Sequence, residues 1–247
     1  MSLAIERSRD KGDFHHVGAD STVRKDVNGL RFATLRPSRS EEPLVEFFIY
    51  CRDKPDSDAI LEELAEAHWS FMDGYADAMI ARGPTLTPDR TRHTGSMHII
   101  DVTDDDAAHA FAFEEPYFQA GVYAQVLIHR WVNELGRTMW DFRSEATDHP
   151  RFLVIGLGRP AASSLVNSRL EDHRRYLAEG RYEERIIQRG PLLSDGGTEW
   201  VGDVMLVEVP GRAAVEAMVN GDPYVSAGLY SSVEIHDWEF GGGPQGM

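Results

Sequence analysis

The chain has 247 residues, 42% of them hydrophobic and 27% charged, with a net charge of −16 and a single cysteine, Cys51. That composition is ordinary for a soluble globular protein of two modest domains. The acidity disfavours nucleic acid as a partner, and the single cysteine excludes an internal disulfide.

Residues 1–43 are polar and about neutral, so nearly all the negative charge lies beyond them. They read as an arm lying over a domain or partly disordered. The opening MSLAIERSRD is charged where a secretory leader would be apolar, and no stretch has the length of a membrane span. A soluble, unexported, cytoplasmic protein is expected.

A first strand is predicted at Leu44–Cys51, where Cys51 serves as a small apolar residue. A helix follows over Asp58–Ala81, with Leu61, Leu64, His68, Phe71 and Tyr75 on one face. Gly83-Pro84 opens a short strand, and Met97–Val102 forms a stronger one. Asp104-Asp105-Asp106 caps a helix over Asp105–Phe113. Pro116 opens a short helical turn, and Tyr123–Val132 is the last strand. Asn133–Pro150 is a linker whose Trp140 and Phe142 should pack against a domain.

From Phe152 the series repeats. Strands are predicted at Phe152–Leu157, Val204–Val209 and Tyr230–Phe240, and helices at Ser163–Glu179 and Arg212–Asn220. Residues from Gly83 onward fall on those from Gly190 at a constant offset of 107, so that Pro116-Tyr117, Ala120-Gly121 and Tyr123 match Pro223-Tyr224, Ala227-Gly228 and Tyr230. Upstream the offset is 105 and His68 falls on His173, with a two-residue insertion near Gly180. A repeat this long is a whole domain. The order β-α-β-β-α-β is the ferredoxin-like split unit. The fold class is therefore α+β: two tandem ferredoxin-like domains, at 44–132 and 151–240, packed sheet to sheet as an intramolecular pseudo-dimer, with a flexible tail at 241–247.

Several residues recur in both copies. His68 and His173 lie on an apolar helix face. They are general acid–base candidates, or else core histidines bonded to backbone. Tyr117 and Tyr224 could offer a ring wall and a hydroxyl to an aromatic or unsaturated acid, or simply pack. His129-x-Trp131 and His236-x-Trp238 each put two rings on one strand face, lining either a pocket between sheets or an interdomain interface. Gly121 and Gly228 read as allowing close packing. No zinc-type spacing, nucleotide loop or serine-hydrolase elbow occurs, so no metal and no cofactor is expected.

The residues EEPYFQAGVY and DPYVSAGLY, with the upstream histidine and the Gly-Pro, resemble the YCII-related domain family of the dimeric α/β-barrel, muconolactone-isomerase-like superfamily. The resemblance covers about residues 44–132 and 151–240. It implies a His–Asp active site, carried here by His173 and Asp222. In the first copy Glu115 departs from the family's aspartate and would pair with His68. Tyr224, Tyr117, His236 and His129 are candidate substrate-binding residues. The implied function is a cofactor-independent lyase or isomerase acting on a small organic acid or aromatic-degradation product, for instance a dehydrochlorinase. A non-catalytic binding or scaffold module and a cofactor-free monooxygenase are the competing readings. A homodimer or higher oligomer is compatible with the resemblance.

Overall fold

Strand burial decides the architecture. In the first strand Phe47, Phe48, Ile49, Tyr50 and Cys51 are all buried, so both faces of the sheet must be covered. In the computed structural model, which describes residues 44–144, 146 and 148–242, helices cover one face and the sheet of the other half covers the second. The arm expected at 1–43 lies outside the described residues.

The first half comprises β1 (Val45–Asp53), α1 (Asp58–Glu63), α2 (Ala65–Gly74), β2 (Met79–Leu86), β3 (His93–Val102), α3 (Asp105–Glu114), α4 (Pro116–Gln119) and β4 (Tyr123–Trp131). The second comprises β5 (Arg151–Gly158), α5 (Ser163–Glu179), β6 (Ile186–Leu193), β7 (Trp200–Glu208), α6 (Arg212–Asn220), α7 (Pro223–Ser226) and β8 (Tyr230–Trp238). All strand pairings are antiparallel. The two sheets do more than face each other. Thr85 and Leu86 of β2 pair with Trp238 and Asp237 of β8, and Arg130 and Trp131 of β4 pair with Leu193 and Leu192 of β6. These two seams close a barrel in the order β1-β3-β2-β8-β5-β7-β6-β4, which leaves no free sheet edge.

Phe48, Tyr50, Met97, Ile99 and Trp131 meet Leu153, Ile155, Val204, Leu206 and Trp238 in one central core. Met139 and Phe142 of the linker join it, and Trp140 packs against it. Outside the barrel, Phe47, Ile49 and Ile100 contact the first half's helices, and Phe152, Val154 and Val207 those of the second.

The seams depend on the glycines of the repeated Gly-Pro. A Cβ on Gly83 would stand 1.9 Å from the Glu239 carbonyl oxygen, and one on Gly190 would stand 1.8 Å from that of Val132. No side chain fits there. Gly121 and Gly228 sit in a tight turn, as their spacing suggests, but a Cβ there would meet mostly open space rather than close packing. They adopt φ of 74° and 67°, the left-handed region that ends the Pro-Tyr turn.

The first half's long helix and the tail differ from expectation, while the insertion lies where it was expected, near Gly180. The helix predicted over Asp58–Ala81 breaks at Leu64 (φ −100°, ψ 6°) and stops at Gly74. Met79, Ile80 and Ala81 belong to β2, because pairing with β3 buries them fully. The insertion falls at 180–182, between α5 and the turn Glu183–Arg185, which is the counterpart of the turn Ala76–Ala78. The tail's first two glycines are held rather than loose: the Gly241 amide donates to the Arg82 carbonyl, and the Gly242 carbonyl accepts from Arg82 Nε. The rest of the tail, 243–247, is outside the described residues.

Gly190→Ala is expected to destabilise the protein by at least about 2 kcal/mol through this backbone clash. Urea denaturation should show a lower midpoint, whereas Gly211→Ala, with open space around it, should change stability far less.

Candidate active site

The Pro-Tyr turns position the acids. Asp222 and Glu115 are the N-cap residues of α7 and α4, each followed by proline at the first helical position. Asp222 Oδ1 accepts from the Tyr224 amide at 2.8 Å, and Glu115 Oε2 accepts from the Phe118 amide at 2.9 Å. The longer glutamate reaches one residue further along its turn. This absorbs its extra methylene and leaves the other oxygen, Oε1, for His68.

Each acid then holds its histidine. His173 Nδ1 lies 2.9 Å from both carboxylate oxygens of Asp222. His68 Nδ1 lies 2.5 Å from Glu115 Oε1. Each imidazole stacks on the tyrosine of its turn, at 4.3 Å and 9° for His173 on Tyr224, and at 4.3 Å and 14° for His68 on Tyr117. Both acids are buried, so a hydrogen-bonded partner is what keeps them tolerable there. Among the described residues Nε2 of neither histidine makes a hydrogen bond, which leaves that nitrogen for a ligand.

Of the two roles open to Tyr117, the structure favours packing. The tyrosine donates to the Leu61 carbonyl at 2.9 Å and serves as a ring platform, as does the buried Tyr224. His129 and His236 face the opposite sheet, as a place between the sheets or at an interdomain interface requires. Strand alternation puts them on the inner face with Trp131 and Trp238, while the His–acid pairs lie on the outer, helix-covered face. His236 Nε2 is 2.9 Å from Glu234 Oε2, and Glu234 in turn accepts from Arg52. Burial lowers the pKa of both His129 and His236.

The structure adds residues that the repeat alone did not single out. A narrow, partly open slot runs between helices and sheet in the second copy. Val154, Leu177, Met205, Met218, Val219 and Val233 make its apolar wall, and His173, Asp203, Asp222, Tyr230, Arg189 and Glu134 make its polar end. A second, smaller hollow shares His173, Asp203 and Glu134. Asp203 accepts from Tyr230 Oη at 2.8 Å and from Trp200 Nε1 at 3.1 Å. Burial pushes its carboxyl up to about 7, against the opposing pull of His173 and these two donors.

In the first copy the position of Asp203 is Ser96, yet a second carboxylate is present. Asp53, at the end of β1 where the second copy has Gly158, lies 2.6 Å from His93 Nδ1, and His93 is the counterpart of Trp200. An aromatic N–H at one position thus meets an acid supplied by different strands in the two copies. His98 replaces Met205 and is buried against Phe111. Burial, then the neighbouring His68, Arg82 and His93, hold its pKa well below the usual imidazole value. The signal missed for Asp203 was a carboxylate in mid-strand among apolar neighbours. Its counterpart in the first copy is a serine, so the repeat does not mark it.

The YCII-related domain model matches residues 45–132 and 150–239. The chain belongs to the YCII-related domain family. A 5-chloro-2-hydroxyhydroquinone dehydrochlorinase from Burkholderia phenoliruptrix AC1100 is 29% identical over 35% of this chain and 92% of its own, with a TM-score of 0.33. A candidate chlorite dismutase matches 80% of this chain and 95% of its own at 12% identity, with a TM-score of 0.55. A chlorite dismutase from Candidatus Nitrospira defluvii matches 81% and 92% at 11% identity, with a TM-score of 0.51. The last two show a shared fold, the ferredoxin-like dimeric α/β barrel. A comparison with curated proteins finds no match. Among the described residues no helix is long and apolar enough to cross a membrane, and no three His, Cys, Asp or Glu cluster as a metal site.

Asp203 yields a pH prediction. A carboxyl raised from 3.8 to about 7 in the folded state binds its proton more tightly than in the unfolded chain. Stability from this group is therefore present below about pH 4 and is lost as pH rises to about 7. Asp203→Asn should gain stability relative to wild type over that window, by up to about 4 kcal/mol at pH 8. Denaturation midpoints of the two proteins at pH 4, 6 and 8 check this.

Proposed function

We propose that this protein is a cofactor-independent enzyme that performs general acid–base chemistry on a small organic acid or an aromatic-degradation product, by isomerisation or by elimination such as dehydrochlorination. The observation that carries this reading is His173. Its Nδ1 is committed to Asp222, its Nε2 has no protein partner among the described residues, and its ring borders a cavity with an apolar wall.

In this reading Asp222 fixes the imidazole with its proton on Nδ1, so that the lone pair on Nε2 faces the ligand. His173 takes a proton from a carbon or hydroxyl of the substrate. The resulting imidazolium is stabilised by the adjacent carboxylate, and the proton is returned to a different atom or lost as a halide departs. Tyr224 holds the ring in plane from behind. His68 and Glu115 form the corresponding pair in the first copy. The barrel interior is filled by Phe48, Trp131, Trp238 and their neighbours, which supports a reaction site outside the barrel, in the slot beneath the helices.

The test is turnover on a panel of chlorinated hydroxyhydroquinones, read by chloride release, and of small unsaturated acids, read by ultraviolet absorbance. His173→Ala should lower kcat/KM by about 10²–10⁴-fold. Asp222→Asn, which keeps a helix cap but not the charge, should cost about 10²-fold. The double variant His68→Ala with His173→Ala should be inactive on every substrate of the wild type. Undiminished turnover in that double variant would overturn the assignment.

A further inference from the structure

The polar end of the His173 slot contains a positive charge that acid–base chemistry does not require. Arg189, on β6, points its guanidinium to the helix-covered side and is mostly buried, with its side chain 14% exposed. Glu134 Oε2 stands 3.1 Å from Nε, but the alignment is poor. Neither Nε nor Nη1 makes a hydrogen bond among the described residues, and both atoms are shielded from bulk solvent. Leaving guanidinium N–H groups buried and unpaired is costly. The site is therefore poised for an oxyanion that can meet that edge squarely, as carboxylates do.

Glu134 is itself unusual. It belongs to neither repeat's strands or helices but to the linker after β4, and its amide donates to the Arg189 carbonyl. In the first copy the same backbone bond is made by Gly241 to Arg82, and the position of Glu134 is there a glycine, Gly241. The second copy's slot is thus completed by a residue from outside that copy. Glu134 Oε1 also lies 3.6 Å from Arg174 on α5, a cation to which it can turn when displaced. Beyond this polar end the slot is lined by valine, leucine and methionine. A charged group at one end and a thin apolar cleft at the other suit a flat molecule with one delocalised oxyanion.

We infer that the His173 slot binds a small organic anion with a flat apolar body, a carboxylate or a phenolate, whose oxygens take the Nε/Nη1 edge of Arg189 and displace Glu134. This rests on the acid–base reading for the location of the reacting group, but it concerns binding and is measured without turnover. Isothermal titration and thermal shift would be run on the full chain with benzoate and 4-nitrophenolate, against the uncharged benzamide and nitrobenzene. At least one anion should bind and raise Tm, with the neutral partners much weaker; which anion binds separates the carboxylate from the phenolate source. Removing the internal competitor in Glu134→Gln should tighten binding of that anion about threefold. Arg189→Lys, which keeps charge but loses the planar fork, should weaken it about tenfold. Should Arg189→Lys fail to fold, Glu134→Gln carries the test alone. Equal binding of charged and neutral probes, no binding of either anion, or no tightening in Glu134→Gln would overturn the inference. His173→Ala separates the two readings. If it retains anion binding but loses turnover, both stand. If anion binding is absent in wild type while His173→Ala still loses turnover, the anchor alone falls. If His173→Ala binds and turns over normally, the acid–base assignment falls.

Discussion

One hydrogen-bonded unit organises each half of this protein: a carboxylate that caps a two-residue-later or three-residue-later amide and also holds an imidazole. Asp222 and Glu115 are buried, and a buried carboxylate is stable only when its oxygens are occupied. The amide of the Pro-Tyr turn satisfies one side and the histidine of the long helix satisfies the other. The same two bonds join α7 to α5 and α4 to α2, so the helical layer over the sheet is fixed by the groups that would do chemistry. Tyrosine stacking beneath each ring removes the remaining freedom of the imidazole.

Around this shared unit the two copies have diverged in ways that physics makes intelligible. Both keep a second carboxylate near the tyrosine of the last strand, but Asp203 comes from β7 and Asp53 from β1, each paired with an aromatic nitrogen from the same strand position. The barrel interior is lopsided too. Tyr50, Arg52, Glu234 and His236 form a bonded polar group at one seam, whereas their counterparts Ile155, Leu157 and Leu127 are apolar and His129 Nδ1 lacks a partner among the described residues. Duplicated sites no longer bound by symmetry can specialise, and the slot with Arg189, Glu134 and Asp203 belongs to the second copy.

Much of this was legible in the chain. The doubled segment gave the architecture, since a constant offset over a whole β-α-β-β-α-β series admits little else. Pro116 and Pro223 marked turns whose preceding acids are true caps, and Asp104 caps α3 by accepting from the Ala107 amide. What stayed hidden depended on contacts distant in sequence. Met79–Ala81 continued a helical pattern, and only pairing with β3 made them a strand. His129 and His236 were read with their tryptophans as lying between the sheets, but alternation alone does not say that the His–acid pairs sit on the opposite, helix-covered face. Arg189 and Glu134 are invisible as a pair until closure of the β4–β6 seam brings the linker beside β6. Asp203 carries no mark of the repeat, because its counterpart is a serine, Ser96.

The central claim is that a buried acid sets the protonation pattern of each paired histidine, and imidazole nitrogen NMR reads this directly. In alkaline buffer, where the rings are neutral, long-range ¹H–¹⁵N spectra should show His173 and His68 with the proton on Nδ1 and a bare Nε2, and Asp222→Asn should disturb the His173 pattern while leaving that of His68 unchanged. Finding the proton on Nε2 of both rings in the wild-type protein would contradict the arrangement from which the proposed chemistry follows.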